Sequence, residues 1–155
     1  MHLAGVTANP GGAWVTQQAR NLLLVLGERG RRIRLLLRDR DAEFCRSFDD
    51  VFDSEGAEVL RTPVRAPRAN EYAERWVRTV RVECLDWLLI VGRRHLEHVL
   101  RIYVKHYSEH RPHRALGLAT PDRPAGLALV GGDQQGKVHR RDRLGGLIHE
   151  YHRAV

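Results

Sequence analysis

The chain has 155 residues, enough for one domain with a real core. It carries 26 Lys and Arg against 19 Asp and Glu, a formal net charge of +7, and this basic surplus favours nucleic acid as a partner. No run approaches the roughly 18 apolar residues of a membrane span and no signal-like start is present, so a cytoplasmic protein with no membrane partner is expected. Lys105 and Lys137 are the only lysines, and 26 minus 2 leaves 24 arginines. An arginine-biased genome explains that ratio but not the net charge, and arginine is the residue that contacts phosphate in a planar, bidentate way.

In chain order, His2 to Asn9 alternates as a strand does and stops at the turn cluster Asn9-Pro10-Gly11-Gly12. Ala13 to Leu26 sets Val15, Ala19, Leu22, Leu23 and Leu26 at helical spacing, with Gly27 at its end. Arg31 to Asp39 is an apolar run that reads as a buried strand. Ala42 to Glu55 predicts a short helix with Phe44, Phe48, Val51 and Phe52 on one face, closed by Gly56. Ala57 to Arg61 predicts a strand, and residues 62–68 a Pro-rich loop. A long helix is predicted from Asn70 to about Ile90, burying Ala73, Trp76, Val77, Val80, Cys84, Leu85 and Leu88. A further helix, Arg93 to Glu109, buries Leu96, Val99, Leu100, Tyr103 and Tyr107 before Pro112 stops it. The alternation of strands and helices predicts an α/β fold with a partly parallel sheet. The organisation expected is a core over residues 1–125, then a linker and basic tail over 126–155. In that tail, Val138 to Leu144 and Leu147 to His152 read as two strands joined at Gly145-Gly146, with a frayed helix from Leu147 as the alternative.

Cys45 and Cys84 form no zinc motif or disulfide framework and read as reduced core thiols. The pairs His95/His98 and His106/His110 have helical spacing, but no H-E-x-x-H or nearby cysteine accompanies them, so solvated helix faces are the better account.

Asp39 and Glu74 are the most informative pair in the chain, although an Asp at a strand end is more often a turn former or helix cap than a metal ligand. Asp39 closes the apolar strand, Glu74 opens the long helix, and the order of elements between them can return a helix start to a strand tip. Two acidic oxygens there suit a hard cation such as Mg²⁺, which takes one or two carboxylates plus substrate phosphate oxygens. Each acid has a local rival. Asp41 precedes Ala42, where a helix begins, and reads as a cap. Glu71 favours the helix dipole and pairs with Arg75 at i+4.

Three segments carry a resemblance. Arg38-Asp39-Arg40-Asp41-Ala42-Glu43-Phe44 resembles the second-aspartate segment of bacterial insertion-sequence transposases and retroviral-type integrases. Pro67-Arg68-Ala69-Asn70-Glu71-Tyr72-Ala73-Glu74-Arg75-Trp76 resembles their glutamate helix, with its N-x-x-A-E core, and that register selects Glu74 over Glu71. Tyr107-Ser108-Glu109-His110-Arg111-Pro112-His113-Arg114-Ala115-Leu116 resembles the Y-N-x-x-R-P-H-x-A-L stretch that follows their last core helix. The resemblance implies an RNase H-like mixed sheet flanked by helices, and metal-dependent DNA cleavage and strand transfer at two Mg²⁺ or Mn²⁺ ions. Asp39 and Glu74 become the catalytic and metal-holding acids. DNA contacts fall on Arg65 and Arg68 of the loop, on Arg75, Arg78 and Arg81 of the helix, and on Arg111 and Arg114. The family's first aspartate has no counterpart, because no Asp or Glu precedes Glu28. The chain therefore reads as an N-terminally truncated core lacking its first two strands, inactive alone. Its partners are expected to be DNA and a full-length transposase or a second copy of itself. A non-catalytic DNA-binding relic and an RNase H-like nuclease of another type are the alternatives.

Overall fold

The structure is a computed structural model in which residues 1–63, 71–122 and 137–153 are described. The chain divides into two compact units, His2–Thr79 and Val80–Val155, with Met1 joining the second. The loop 64–70, including Arg65 and Arg68, lies outside the described residues.

The first unit contains helix α1 (Gly12–Glu28), strand β1 (Leu35–Arg38), helix α2 (Arg46–Asp53) and strand β2 (Glu58–Arg61). Helix α3 (Glu71–Glu83) begins in it and ends in the second unit. β1 and β2 pair in parallel with Leu36 opposite Val59 and Arg38 opposite Arg61. A parallel pair needs a crossover, and α2 supplies it. The core comprises Ala19, Phe48, Phe52 and Ala57, with Val15, Leu22, Leu23, Ile33, Leu36 and Val59 packed around them. Phe48 stacks between Phe44 and Phe52 at centroid distances of 4.9 and 5.1 Å, spacings at which tilted and edge-on rings attract. The first residue of α1 is glycine where a side chain would meet the Cys45 sulfur, 2.9 Å from where its Cβ would sit. Thr16 continues that contact, its hydroxyl 2.7 Å from the Gly12 carbonyl and 3.2 Å from the Ser47 hydroxyl.

Two expectations change in this unit. Residues 2–9 form no strand. A strand exists only through a paired neighbour, and among the described residues β1 and β2 pair only with each other. The apolar run at 33–39 is buried on one side only. Leu36 and Arg38 turn inward, whereas Leu35 and Leu37 are 55% and 50% exposed. With a side-chain period of two, the single layer of α1 and α2 covers every second residue, and no described element covers the others.

In the second unit, α3 stops at Glu83 and a 3₁₀ turn follows at Leu85–Trp87. The Trp87 indole N–H donates to the Val82 carbonyl at 2.8 Å and so takes an acceptor that a continued helix would use. The single long helix expected to reach Ile90 is thus broken. Its apolar stripe is also narrower than expected: Val80 and Cys84 are buried and Trp76 is half-buried, but Ala73 and Val77 are exposed. The covered face is the i, i+4 row 76-80-84, and Ala73 and Val77 lie off it.

Helix α4 (Gly92–Glu109) buries Val99 and Tyr103, one turn apart. Its start is fixed by His95, whose Nδ1 accepts the Val91 backbone N–H at 3.0 Å. Strands β3 (Val138–Arg143) and β4 (Ile148–Arg153) form an antiparallel hairpin, with Arg143 opposite Ile148. The hairpin alternative for the tail is the one that forms. Gly145 and Gly146 take φ of 67° and 93°, left-handed values that glycine adopts without strain. The segment 123–136 lies outside the described residues. No helix among the described residues is long and apolar enough to cross a membrane.

Candidate active site

Asp39 follows β1 directly and is half-buried. Its Oδ1 accepts the Asp41 backbone N–H at 3.2 Å, an Asx-type turn that bends the chain away from the strand. That bend brings a third acid close. Burial, together with the nearby Asp41 and Asp39 charges and a hydrogen bond to Asp41, holds the Glu43 carboxyl above its ordinary range. Negative charge is therefore concentrated just beyond the strand tip. Glu43 drew no notice in the sequence, because its two-residue offset from Asp41 marks no element periodicity.

An ion-pair network fixes the strand tip from the inside. Arg38 is 6% exposed and donates through Nε and Nη2 to the two Asp49 carboxylate oxygens at 2.7 and 2.6 Å. Its Nη1 donates to the Asp39 carbonyl at 2.9 Å, and its guanidinium lies 5.7 Å from the Phe44 ring centroid. Arg61, at the end of the paired strand, donates to Asp49 at 2.8 Å. The Arg38 hydrogen bonds outweigh burial and hold the Asp49 carboxyl below its usual range. Arg38 also sets the Asp39 backbone directly. The legible signal for this network was the pair of arginines ending two adjacent strands, combined with an acid on the crossover helix.

Glu74 sits in the first turn of α3 and is exposed. Among the described residues, no hydrogen bond or ion pair joins it to Asp39. Glu71, its rival, is occupied by an ion pair to Arg75. No group of three or more His, Cys, Asp and Glu is poised to hold a metal among the described residues. Carboxylates are the donors a hard divalent cation takes, together with substrate phosphate oxygens and water.

The expected DNA-facing arginines divide by their partners. Arg75 pairs with Glu71 and lies 5.9 Å from the Tyr72 ring centroid. Arg81 sits 3.9 Å from Asp86, and Arg78 is exposed with no partner among the described residues. Arg114 is exposed on the 3₁₀ turn Arg114–Leu116. Arg111 is held within the fold: it pairs with Glu83 and lies 5.1 Å from the Tyr107 ring centroid. Glu83 also accepts the Tyr103 hydroxyl at 2.6 Å. His113 packs edge-on against Tyr107 at 4.6 Å. The R-P-H stretch is thus a brace that closes the end of α4 on Glu83. Burial, with Glu83 adding to it, keeps the Tyr103 phenol protonated.

Residues 55–121 match a family described as an integrase core domain. This segment is an integrase core segment. It spans β2, α3, α4 and the R-P-H brace, and it contains Glu74 but not Asp39. No curated protein and no solved structure matches the chain. An integrase core segment points to DNA integration or transposition as the functional class and to DNA as the partner.

Proposed function

We propose that the chain is the catalytic-core portion of a transposase or integrase, with Asp39 and Glu74 as its metal-holding acids and a DNA phosphodiester as its substrate. The observation that carries this reading is the integrase core match over 55–121, which contains Glu74 in the first turn of α3 and the R-P-H brace after α4. Two divalent ions, when bound, activate the attacking oxygen and neutralise the leaving one.

The chain's own residues have the remaining tasks. Asp39 offers a half-exposed carboxylate on a backbone that Arg38 pins in place. Glu74 offers a second from a helix turn. Arg78 and Arg81 supply phosphate contacts along α3, with Arg75, Arg114, Arg65 and Arg68 as further candidates. Arg111, already serving Glu83, braces the fold. Residues 1–27 hold no Asp or Glu, so this chain offers two of the three carboxylates that similar enzymes use.

Duplex binding tests the reading. The chain should bind duplex DNA with little sequence preference, and its affinity should fall steeply with salt, by about 0.9 log units per log unit of salt for each phosphate neutralised. Arg78→Gln with Arg81→Gln should weaken binding and flatten that slope. A salt-independent affinity, or an unchanged double variant, would count against DNA as the partner of this face.

A further inference from the structure

Beside Asp39, within the first unit, lies a cavity of about 350 Å³ lined by Arg38, Arg40, Asp41, Ala42, Phe44, Arg46 and Arg61. We propose that this cavity is a phosphate subsite, which seats one backbone phosphodiester of bound nucleic acid next to the Asp39 carboxylate. The inference rests on the DNA-binding reading above and adds to it a site made of residues other than the arginines of α3.

The arginines in this cavity differ in what they have left to give. Arg38 is the most committed: three of its five N–H donors go to Asp49 and the Asp39 carbonyl. It forms the floor together with Phe44. Arg40 is anchored by one bond, Nε to the Thr62 carbonyl at 3.0 Å, which leaves both terminal nitrogens available. Arg61 gives Nη2 to Asp49, and its side chain remains 56% exposed. The Arg46 side chain is 94% exposed, and its ion-pair partner among the described residues is Asp50 at 3.9 Å. Spare guanidinium donors from the strand end, the turn and the helix start therefore converge on one hollow. Against them stand Asp41 on the rim, with Asp39 and Glu43 close to it, and Asp49, already consumed by Arg38 and Arg61.

An anion with several acceptor oxygens is what such a set takes, because charge-assisted bonds from guanidinium to phosphate are short, directional and often bidentate. A neutral or cationic ligand would leave the charges uncompensated. The volume is at the small end of the roughly 300–1,000 Å³ of typical ligand pockets, which suits a phosphate and part of a sugar better than a stacked base. The Asp39 backbone is a direct partner of Arg38, so an anion in the cavity is held in fixed register with the acid.

The test uses the full chain with arginine Nε–H signals recorded by ¹⁵N NMR, and two probes, inorganic phosphate and a short duplex. Inorganic phosphate should shift the Arg40, Arg46 and Arg61 signals and leave Arg78 unmoved. Arg46→Gln, which removes no packed contact, and Arg40→Gln should each lower the salt slope of duplex binding by about 0.9. Unmoved pocket signals with phosphate would overturn the proposal. Phosphate shifts accompanied by a wild-type salt slope in Arg40→Gln/Arg46→Gln would overturn the backbone assignment and leave a free-phosphate pocket. If the wild-type chain bound no duplex, the DNA-binding reading would fall, and with it the backbone assignment. The phosphate arm would still decide whether the cavity takes an anion.

Discussion

Asp49→Ala should destabilise the first unit more than any surface substitution, because it strands a buried charge. The Arg38 side chain is 5% exposed and the Asp49 side chain 11%, so deleting the carboxylate leaves the guanidinium with the Asp39 carbonyl and the Phe44 ring as its remaining contacts. Breaking a buried pair in this way costs about 3–5 kcal/mol. The retained carbonyl bond places the value here near the lower end, at about 3 kcal/mol. For a unit of this size each kcal/mol moves the midpoint by about 4–8 °C, so thermal melting followed by circular dichroism should show a loss of at least about 10 °C. The pH profile carries the same signature. Asp49 has a depressed carboxyl, so its stabilisation is present above the unfolded aspartate value of about 3.9 and is lost as pH falls through the lower folded value. Asp49→Ala should flatten that acid limb. Arg38→Met with Asp49→Leu should recover most of the lost stability, since apolar replacement of a buried pair is often neutral or better. An Asp49→Ala protein melting within about 2 °C of wild type, or a double variant no better than the single, would refute the reasoning.

Other expectations follow from the second unit and the thiols. His106 is held toward its neutral form, by burial first, with Glu150 opposing. Its contribution to stability should therefore be complete above about pH 6.5 and decline as pH falls below that. A His106→Gln variant should lose that decline, measured by denaturant midpoints at several pH values. Glu150, held by Arg143 at 3.1 Å and facing His106 and His110 at 3.6 and 3.9 Å, ties the hairpin to α4. Glu150→Ala should raise amide exchange across β3 and β4 before it affects α1 or α2. Of the two cysteines, Cys84 is fully buried with its thiol pushed up to about 11 by burial. Cys45 is half-buried, with its thiol lowered by hydrogen bonds from Ser47 and Thr16. A thiol reagent at neutral pH should label Cys45 first, and equal labelling rates would contradict this.

The elements legible in the sequence were those whose signal is local. The Phe44/Phe48/Phe52 spacing marks α2, the Leu/Ala stripe of residues 15–26 marks α1, and Gly145-Gly146 marks the hairpin turn. What failed depended on partners that a single segment cannot reveal. Residues 2–9 alternate as a strand does but have no paired neighbour among the described residues. Val77 looks like a core residue by period, yet the covered row is 76-80-84. Around the candidate site, Asp39 at the strand tip and Glu74 in the first helical turn occupy the elements the sequence predicts. The Arg38–Asp49–Arg61 network left only a faint trace in the sequence, two arginines at strand ends and an acid on the crossover helix, because it joins those elements through side chains. Arg111 was read from its charge and motif as a phosphate contact, and its pairing with Glu83 is a bracing role that the sequence did not show.

The central claim, that Asp39 and Glu74 together hold divalent metal for DNA chemistry, is tested most directly by Mn²⁺ titration of the isotope-labelled chain. Paramagnetic broadening should fall on residues flanking Asp39 and on the first turn of α3. It should be weak in the chain alone and stronger with a short duplex present, and it should disappear from both places in Asp39→Asn or Glu74→Gln. Broadening that ignores α3, or that survives both substitutions unchanged, would contradict the account.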